Sequence, residues 1–244
     1  MLYSNEIELQ DEKGIFPLYV FERDKKNFRC IGTTFFLNGL GIFVTARHVF
    51  ANELKNDTDI FVLQNLSTKQ FVARKVTHLR IHPTADIAIG QLGVALDPMT
   101  ATPVNFEIAP NCRVSFAALK NGTKLSGFGY SKTDKTVDGN PTTFTIKGTW
   151  AKGTIEDFHQ DGFSMLKNSC YQTNMEMNSG CSGGPVFSDG CVVGINSTSF
   201  DRPDDTSPLS FITPIGYVLP LQVDINDELI TVEEMIKRGA ILKN

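Results

Sequence analysis

The chain has 244 residues, of which 41% are hydrophobic and 20% are charged, and its formal net charge is −4. This composition is typical of an ordinary soluble globular protein, and the length allows one large domain or two small ones. The acidic balance disfavours a nucleic-acid binder, because such proteins present clustered positive charge. No apolar run approaches the roughly 20 residues of a membrane-spanning helix. Neither nucleic acid nor a membrane is therefore expected as a partner.

The start of the chain and its cysteines bear on the cellular compartment. Residues 1–6 lack the basic start and the apolar stretch of a secretory signal. The five cysteines are an odd number, are widely spaced and form no Cys-x-x-Cys pair. Such a pattern is typical of reduced thiols rather than of a disulfide framework. We therefore expect a cytoplasmic protein, unless a leader has been removed from the chain.

Short strands are predicted along most of the chain. Segments rich in Val, Ile, Phe and Thr alternate with turn sequences such as Asn38-Gly39 and Asn121-Gly122. In chain order, the predicted strands span residues 16–21, 33–37, 42–45, 59–63, 71–77, 87–92, 113–119, 124–130, 142–150, 163–166, 185–188, 191–197 and 209–214. The long helical patterns that separate the strands of a βαβ protein are missing. The sequence therefore predicts an antiparallel all-β sandwich or a pair of barrels.

The final segment carries the one convincing helix signal. Thr231, with Glu234 three residues further on, fits a capping box, and Gly239 is expected to end the helix. A second, short helix is expected just after His48, over residues 49–54. The chain is therefore expected to be almost entirely β, with a small helical tail.

The most informative segment for function is GCSGGP, residues 180–185. Two glycines directly after a serine let the main chain turn sharply and leave room for a ligand beside it. The N–H groups of Gly180 and Ser182 can point the same way, and two convergent donors are what an oxyanion hole requires. A glycine-rich turn between strands is the simpler structural alternative for this segment.

Three other chemistries fit this segment poorly. The pattern Gly-x-Ser-x-Gly also matches the nucleophile elbow of α/β-hydrolases, in which the histidine follows the serine. All four histidines, at positions 48, 78, 82 and 159, precede Ser182, so the order is wrong for that fold. A Ser-x-x-Lys dyad is excluded because Gly, Gly and Pro follow the serine. A cysteine peptidase would need its thiol at position 182, whereas the cysteine here is Cys181.

The order histidine, aspartate, serine remains, and one residue of each type stands out. His48 directly follows the apolar strand predicted over residues 42–45, which gives a base a rigid support. The other histidines are interpreted as structural or surface residues. Asp86 opens an apolar stretch over residues 87–89, where a carboxylate can be desolvated and directed at an imidazole ring.

Together these motifs resemble those of the trypsin-like serine peptidases of the chymotrypsin fold, specifically the bacterial branch that includes the HtrA and Deg proteases. Residues 45–48 match the T-A-x-H motif of that family, residues 86–88 its D-[LI]-A motif, and residues 180–185 its G-x-S-G-G-P motif. The G-I-N sequence at 194–196 is similar as well, and the resemblance covers about residues 30–216.

The resemblance implies an all-β, chymotrypsin-like fold. Two six-stranded antiparallel Greek-key β-barrels are expected to pack together, with a short C-terminal helix. The expected organisation is a single peptidase domain over residues 1–244, with one barrel over about 15–110, a second over about 111–220, and a tail over 221–244. HtrA proteins carry a PDZ domain after the protease, and too few residues follow Ile215 for one, so no PDZ domain is expected.

The same resemblance implies a serine endopeptidase that hydrolyses peptide bonds through an acyl-enzyme intermediate. His48, Asp86 and Ser182 are the expected catalytic triad, in the roles of base, orienting acid and nucleophile. The N–H groups of Gly180 and Ser182 are the expected oxyanion hole. No HExxH motif and no close cluster of Cys and His occurs, so neither a metal nor a cofactor is expected.

Substrate contacts also follow from the resemblance. Residues expected to pair with a peptide or protein substrate as an added strand are Ile195, Asn196 and Ser197. Glu176 lies six residues before Ser182, where the family often places the base of the primary pocket, and a carboxylate there would favour basic side chains. The alternative is that Glu176 faces solvent while Met177 lines an apolar pocket.

A catalytically silent or partner-gated member of the fold, acting as a peptide- or protein-binding module, is the main rival hypothesis. All three triad positions are filled, which favours an active enzyme. Digestive members carry an aspartate just before the serine for activation by a freed N-terminus, and here that residue is Cys181. Activation of that kind is not expected, and a regulatory partner is the expected form of control instead.

Overall fold

A computed structural model describes residues 14–22, 27–39, 41–51, 53, 58–67, 70–94, 112–136, 143–200, 209–225 and 227–243. Strands dominate these residues, in two barrels of antiparallel strands with one short α-helix near the end. The prediction of an all-β, chymotrypsin-like fold is therefore confirmed.

The first barrel is closed and has six strands. They are β1 (Ile15–Glu22), β2 (Asn27–Phe36), β3 (Ile42–Thr45), β4 (Asp59–Ser67), β5 (Gln70–Ile81) and β6 (Ala88–Leu92). Their order around the barrel is β1-β2-β3-β6-β5-β4, and β4 pairs with β1 to close it. Fully buried aromatic rings fill its interior, among them Phe16, Phe36 and Phe43. Burial of such rings removes a large apolar surface from water and stabilises the barrel.

The second barrel is built from the following strands. They are β7 (Arg113–Val114), β8 (Lys124–Thr136), β9 (Thr143–His159), β10 (Cys170–Thr173), β11 (Pro185–Ser188), β12 (Cys191–Phe200) and β13 (Leu209–Pro214). Six of them, in the order β11-β8-β9-β10-β13-β12, form a ring that a β11–β12 pairing closes. The short β7 lies outside the ring and pairs in parallel with β12.

The C-terminal segment, from residue 222 onward, forms a few short elements after the second barrel. It contains a hairpin of β14 (Gln222–Ile225) and β15 (Glu228–Thr231), then α1 (Val232–Lys237) and β16 (Leu242–Lys243), which pairs with β7. The side chain of Thr231 accepts a hydrogen bond from the N–H of Glu234 at 3.1 Å, so the predicted N-cap is confirmed. The Glu234 carboxylate binds Arg238. Gly239, at φ +73°, follows the helix.

Several predicted elements differ from the structure. The segment 163–166 forms a tight turn with a single bridge between Phe163 and Leu166 rather than a strand. The strand predicted over 113–119 is only two residues long, and the helix predicted over 49–54 is a 3₁₀ turn over Arg47–Phe50. Apolar content predicted these elements, but four to seven residues are too few for periodicity to distinguish strand from turn.

Candidate active site

His48 and Asp86 are brought together by the pairing of β3 with β6. Thr45 lies opposite Ala88 in this antiparallel pair, so residues just beyond Thr45 and just before Ala88 meet at one edge of the barrel. The Nδ1 atom of His48 lies 3.0 Å from Oδ1 and 2.9 Å from Oδ2 of Asp86. The main-chain N–H of His48 donates to Oδ1 at 2.9 Å. Because a carboxylate only accepts, Nδ1 of His48 carries the proton in this contact.

The loop that carries Asp86 is fixed from several sides. The guanidinium of Arg47 donates to the carbonyls of His82 and Pro83 at 3.3 and 2.7 Å. The ring Nδ1 of His82 accepts from the N–H groups of Thr84 and Ala85 at 3.2 and 2.8 Å. Burial, and then the positive charge of Arg47, lower the pKa of His82, which favours the neutral ring that can accept these bonds.

Ser182 lies in a tight loop at the entrance to β11. Gly180 and Gly183 both have positive φ, +92° and +84°. A Cβ atom on Gly183 would lie 2.1 Å from Oγ1 of Thr45, so no larger residue fits against the first barrel there. The N–H of Gly183 donates to the carbonyl of Asn196 at 2.7 Å, and that of Gly184 to the carbonyl of Cys181 at 3.0 Å. The glycines therefore allow the serine loop to pack directly against β3 and β12.

Thr33 of β2 holds two carbonyl groups of this loop. Its N–H donates to the carbonyl of Ser182 at 2.8 Å, and its Oγ1 donates to the carbonyl of Gly180 at 2.8 Å. Oγ1 also accepts from the N–H of Tyr130 at 2.9 Å, and the whole residue is buried. The first barrel therefore sets the orientation of peptide groups in the second.

The N–H groups of Gly180 and Ser182 are available to a ligand. Within the described part of the chain, neither donates a hydrogen bond. The Cys181 carbonyl points to the N–H of Gly184, so the N–H on the opposite side of that trans peptide, which belongs to Ser182, points away from it. Two unpaired donors beside a serine hydroxyl form the arrangement that binds an oxyanion.

The hydroxyl of Ser182 is directed at β12. Its Oγ donates to the carbonyl of Ser197 at 3.3 Å, and among the described residues no hydrogen bond joins it to His48. The side chain of His48 is 47% exposed, so its ring faces an open cleft. The structure thus brings His48 and Asp86 into contact and leaves Ser182 in a different hydrogen bond.

The edge of β12 that faces the cleft becomes free at Ser197. Ile195 pairs with Pro185 on one side and with Thr213 on the other. The main-chain groups of Asn196 bind the Gly183 N–H and the Gly184 carbonyl. The described strands offer no partner on the β11 side beyond Ile195. Of the three residues expected to pair with a substrate, only Ser197 therefore lies on a free strand edge.

The residues expected near the primary pocket have different exposures. Glu176 is exposed, whereas Met175 and Met177 on either side are buried in the second barrel, at 0% and 8% exposure. The Glu176 carboxylate is therefore not enclosed by a pocket, and the alternative reading, in which it faces solvent, fits this geometry.

A cleft of about 380 Å³ opens beside His48 and Asp86. Its other wall comes from the second barrel and includes Met165, Leu166 and Asn168. Sequence reasoning missed Asn168 and Thr33 because both are isolated polar residues in unremarkable surroundings. Only the pairing of the two barrels makes them neighbours of the site.

Cys181, which directly precedes Ser182, is buried at 3% exposure. Burial raises the pKa of its thiol to about 11, so it is protonated near neutral pH. A Cβ atom on Gly129 would lie 2.6 Å from both Cα and Cβ of Cys181. Cys181 therefore fills the space above Gly129 as a small packed side chain.

The described residues hold neither a metal-ion cluster nor a membrane-spanning helix. No group of three or more His, Cys, Asp or Glu side chains is placed to hold a metal ion there. No helix among the described residues has the length and apolar character needed to cross a membrane.

Several solved structures share this fold. Deg5 superposes with a TM-score of 0.60 at 18% identity, covering 89% of this chain and 94% of its own. The HtrA-type protease AlgW, solved with a tripeptide, gives a TM-score of 0.57 at 17% identity over 93% of this chain and 62% of its own. The inactive form of the Rv3671c protease gives 0.52 at 18% identity, over 85% and 86%. At these identities the likeness shows a shared fold.

Sequence comparison gives a relative and a family. A probable periplasmic serine endoprotease, DegP-like, from Pseudomonas putida (strain W619) is 25% identical over 241 residues. The match covers 91% of this chain and 42% of the relative, so the chain spans about two fifths of the relative's length. The family model for the trypsin-like peptidase domain matches residues 32–195, which include His48, Asp86 and Ser182. This chain therefore belongs to the trypsin-like peptidase family, a family of serine proteases, and within it is similar to the HtrA type.

Proposed function

We propose that this protein is a serine endopeptidase whose catalytic triad is His48, Asp86 and Ser182. The observation that carries the proposal is the buried Asp86 carboxylate on Nδ1 of His48, at 2.9 and 3.0 Å, together with two unpaired N–H groups at the serine. An orienting carboxylate, a base and preorganised donors are the components of acyl transfer from a serine.

The proposed reaction has two stages. The Ser182 Oγ attacks the carbonyl carbon of the scissile peptide bond while Nε2 of His48 takes the hydroxyl proton. Asp86 holds the ring orientation and stabilises the imidazolium that forms. The N–H groups of Gly180 and Ser182 bind the oxyanion, and each such donor contributes about 10²–10³ in rate. His48 then protonates the leaving amine, which leaves an acyl-enzyme on Ser182. In the second stage His48 takes a proton from a water molecule, the water attacks the acyl carbon, and His48 returns the proton to the Ser182 Oγ.

We propose that the peptide substrate binds as an added strand along the free edge of β12, starting at Ser197. Main-chain pairing of this kind gives affinity with little dependence on substrate sequence. The exposure of Glu176 and the burial of Met175 and Met177 favour an apolar primary pocket over an acidic one. We also propose that the barrels, about 15–110 and 111–220, act as one peptidase domain with the cleft between them.

A gated peptidase is the second candidate, and the position of the Ser182 hydroxyl favours it. The Oγ donates to the carbonyl of Ser197 rather than to His48, so attack requires a rotation of the hydroxyl toward Nε2 of His48. A peptide that pairs with Ser197, or a regulatory partner, would bias that rotation by binding the aligned state more tightly. Gating would leave the triad residues unchanged and would add a requirement for a ligand.

Covalent labelling tests the proposal. A fluorophosphonate probe phosphonylates an activated serine and places its phosphoryl oxygen in the oxyanion hole. We expect labelling of the wild type and loss of labelling in Ser182→Ala and His48→Ala. Ser179→Ala and His78→Ala, which change exposed residues of the same types, should label as the wild type does. Labelling that persists in Ser182→Ala would refute Ser182 as nucleophile.

Probe labelling with and without added peptide separates the two candidates, and a positional peptide library examines specificity. Labelling that appears only when peptide is added supports gating, whereas labelling without peptide supports a constitutively aligned triad. A strong preference for Lys or Arg before the cleaved bond, lost in Glu176→Gln, would contradict the apolar pocket.

The compartment stays a prediction. None of the five cysteines, all of which lie among the described residues, forms a disulfide, which fits the expected cytoplasmic location. The P. putida relative is described as periplasmic, which points the other way. Fractionation of cells that express the chain from its own gene, with detection of the protein in each fraction, tests the location.

A further inference from the structure

A buried line of polar groups crosses from the first barrel to the second beneath the candidate site. The Oδ1 atom of Asn168 accepts from the N–H of Asp86 at 3.0 Å. Its Nδ2 donates to Oγ1 of Thr213 at 3.3 Å, and Thr213 Oγ1 lies 2.7 Å from Oγ of Ser197. The carbonyl of Ser197 accepts from Oγ of Ser182. Hydrogen bonds thus connect the main chain of the acid to the nucleophile without passing through His48.

We propose that Asn168 is a positioning residue that sets Asp86 relative to the strand on which Ser182 depends. This inference rests on the proposed function. Asp86 lies in the first barrel, whereas Asn168, Thr213 and Ser197 lie in the second. The direct Asp86–His48 contact lies within the first barrel, so it cannot by itself hold Asp86 in place relative to the second.

The chemistry of position 168 suits an amide and few other side chains. Asn168 is 5% exposed, and its amide supplies an acceptor to Asp86 and donors to Thr213 and to the carbonyl of Ser169, at 2.9 Å. Aspartate would keep the acceptor but lose the donors, and alanine would lose both. Alanine would also leave the buried N–H of Asp86 without a partner, which is unfavourable where water is excluded.

Thr213 and Ser197, at the end of the line nearer Ser182, are also buried. Thr213 is 0% and Ser197 1% exposed, so their hydroxyls satisfy one another and the Asn168 amide rather than water. A valine at 213 would keep the shape and remove the hydroxyl, which would cut the line on the nucleophile side. The contact between Asn168 and Asp86 would remain in that variant.

The test measures kcat, KM and their pH profiles on a fluorogenic peptide for the full chain and its variants. In Asn168→Ala we expect kcat to fall by about 10²-fold, the scale of a misplaced catalytic group, with a smaller change in KM. In Thr213→Val we expect kcat to fall with no shift of the pH profile, because no charge is introduced.

The pH profile of Asn168→Asp distinguishes a positioning role of Asn168 from a purely structural role, because a purely structural role would not change that profile. Arg47, Lys167, Asp86 and His82 are the charged or titratable groups around His48 in the cleft and its loop. A carboxylate added at 168 would stabilise positive charge in the cleft, so the acidic limb of the profile should move to higher pH. Asn121→Asp, which adds the same charge in an exposed turn of the same barrel, should leave kcat and the profile unchanged.

Three results overturn the inference. The first is a kcat within twofold of the wild type in a folded Asn168→Ala, as judged by its melting temperature. The second is a pH profile of Asn168→Asp that matches that of Asn121→Asp. The third is an unchanged kcat in Thr213→Val. If Asn168→Ala does not fold, the results for Asn168→Asp and Thr213→Val decide whether the inference holds. Activity that survives Ser182→Ala refutes the proposed function instead, so the two failures are distinct.

Discussion

Replacement of Thr33 by valine is the sharpest perturbation that the structure offers. Valine keeps the shape of the side chain and removes the hydroxyl, which donates to the Gly180 carbonyl and accepts from the Tyr130 N–H. A buried group left unpaired costs about 1–3 kcal/mol. The Tyr130 N–H would lose the acceptor at 2.9 Å in a buried place, whereas the Gly180 carbonyl is only partly buried. We therefore expect the free energy of unfolding to fall by about 2–4 kcal/mol, which lowers the melting temperature by roughly 5–15 °C in a chain of this size.

Activity should fall as well, because the Gly180 carbonyl would lose the anchor that helps to orient its peptide. We expect fluorophosphonate labelling of Ser182 to slow by at least about 10-fold, up to the 10²–10³ of a lost oxyanion donor. Thr34→Val is the matched control, since Thr34 is equally buried on the same strand but donates only to Val44 within the first barrel. It should cost about 0.5–1.5 kcal/mol and leave labelling unchanged. Equal effects of the two variants on stability and labelling would refute the reasoning.

Two further substitutions probe the packing and the pH dependence of the site. Gly129→Ala should destabilise the fold and slow labelling, and Cys181→Ala should not rescue it, because Cα of Cys181 also lies within 2.6 Å of the added Cβ. Rescue, seen in melting temperature and labelling rate, would disprove this account. The pKa of His82 is lowered on folding, so its stabilising contribution is complete above about pH 6.5 and is lost as the pH falls below it. His82→Asn should flatten the fall in melting temperature below that pH, His78→Asn should not, and parallel curves for all three proteins would contradict the prediction.

The sequence predicted the parts of the fold that depend on strong local patterns. The strands at 42–45, 185–188 and 209–214 have the predicted bounds, because each is an apolar run closed by clear turn residues. The strand at 170–173 was missed, since its sequence is Cys-Tyr-Gln-Thr, with a polar glutamine at its centre and no β-branched residue before Thr173. Its pairing with β9 and β13, rather than its own propensity, makes it a strand.

Those residues of the candidate site that belong to short sequence motifs could be predicted from the sequence. His48 and Asp86 could be paired from sequence because each adjoins an apolar strand, and the structure places them in contact. The role of Thr33 could not be seen, since it depends on a contact with Gly180, 147 positions away. The sequence could not show where the free edge of β12 begins, because the pairing of Ile195 on both sides is a property of the closed barrel.

The contacts of Thr33 and Asn168 lie where the two barrels meet, and the proposed chemistry lies at the same place. Separation of the barrels would break the bonds to Gly180, Ser182 and Asp86 together. A damaged or half-folded copy of the protein would then lose the geometry of the candidate site. Under the proposed function, an intact contact between the barrels is a condition for proteolysis, so a misfolded copy of the protein would be inactive.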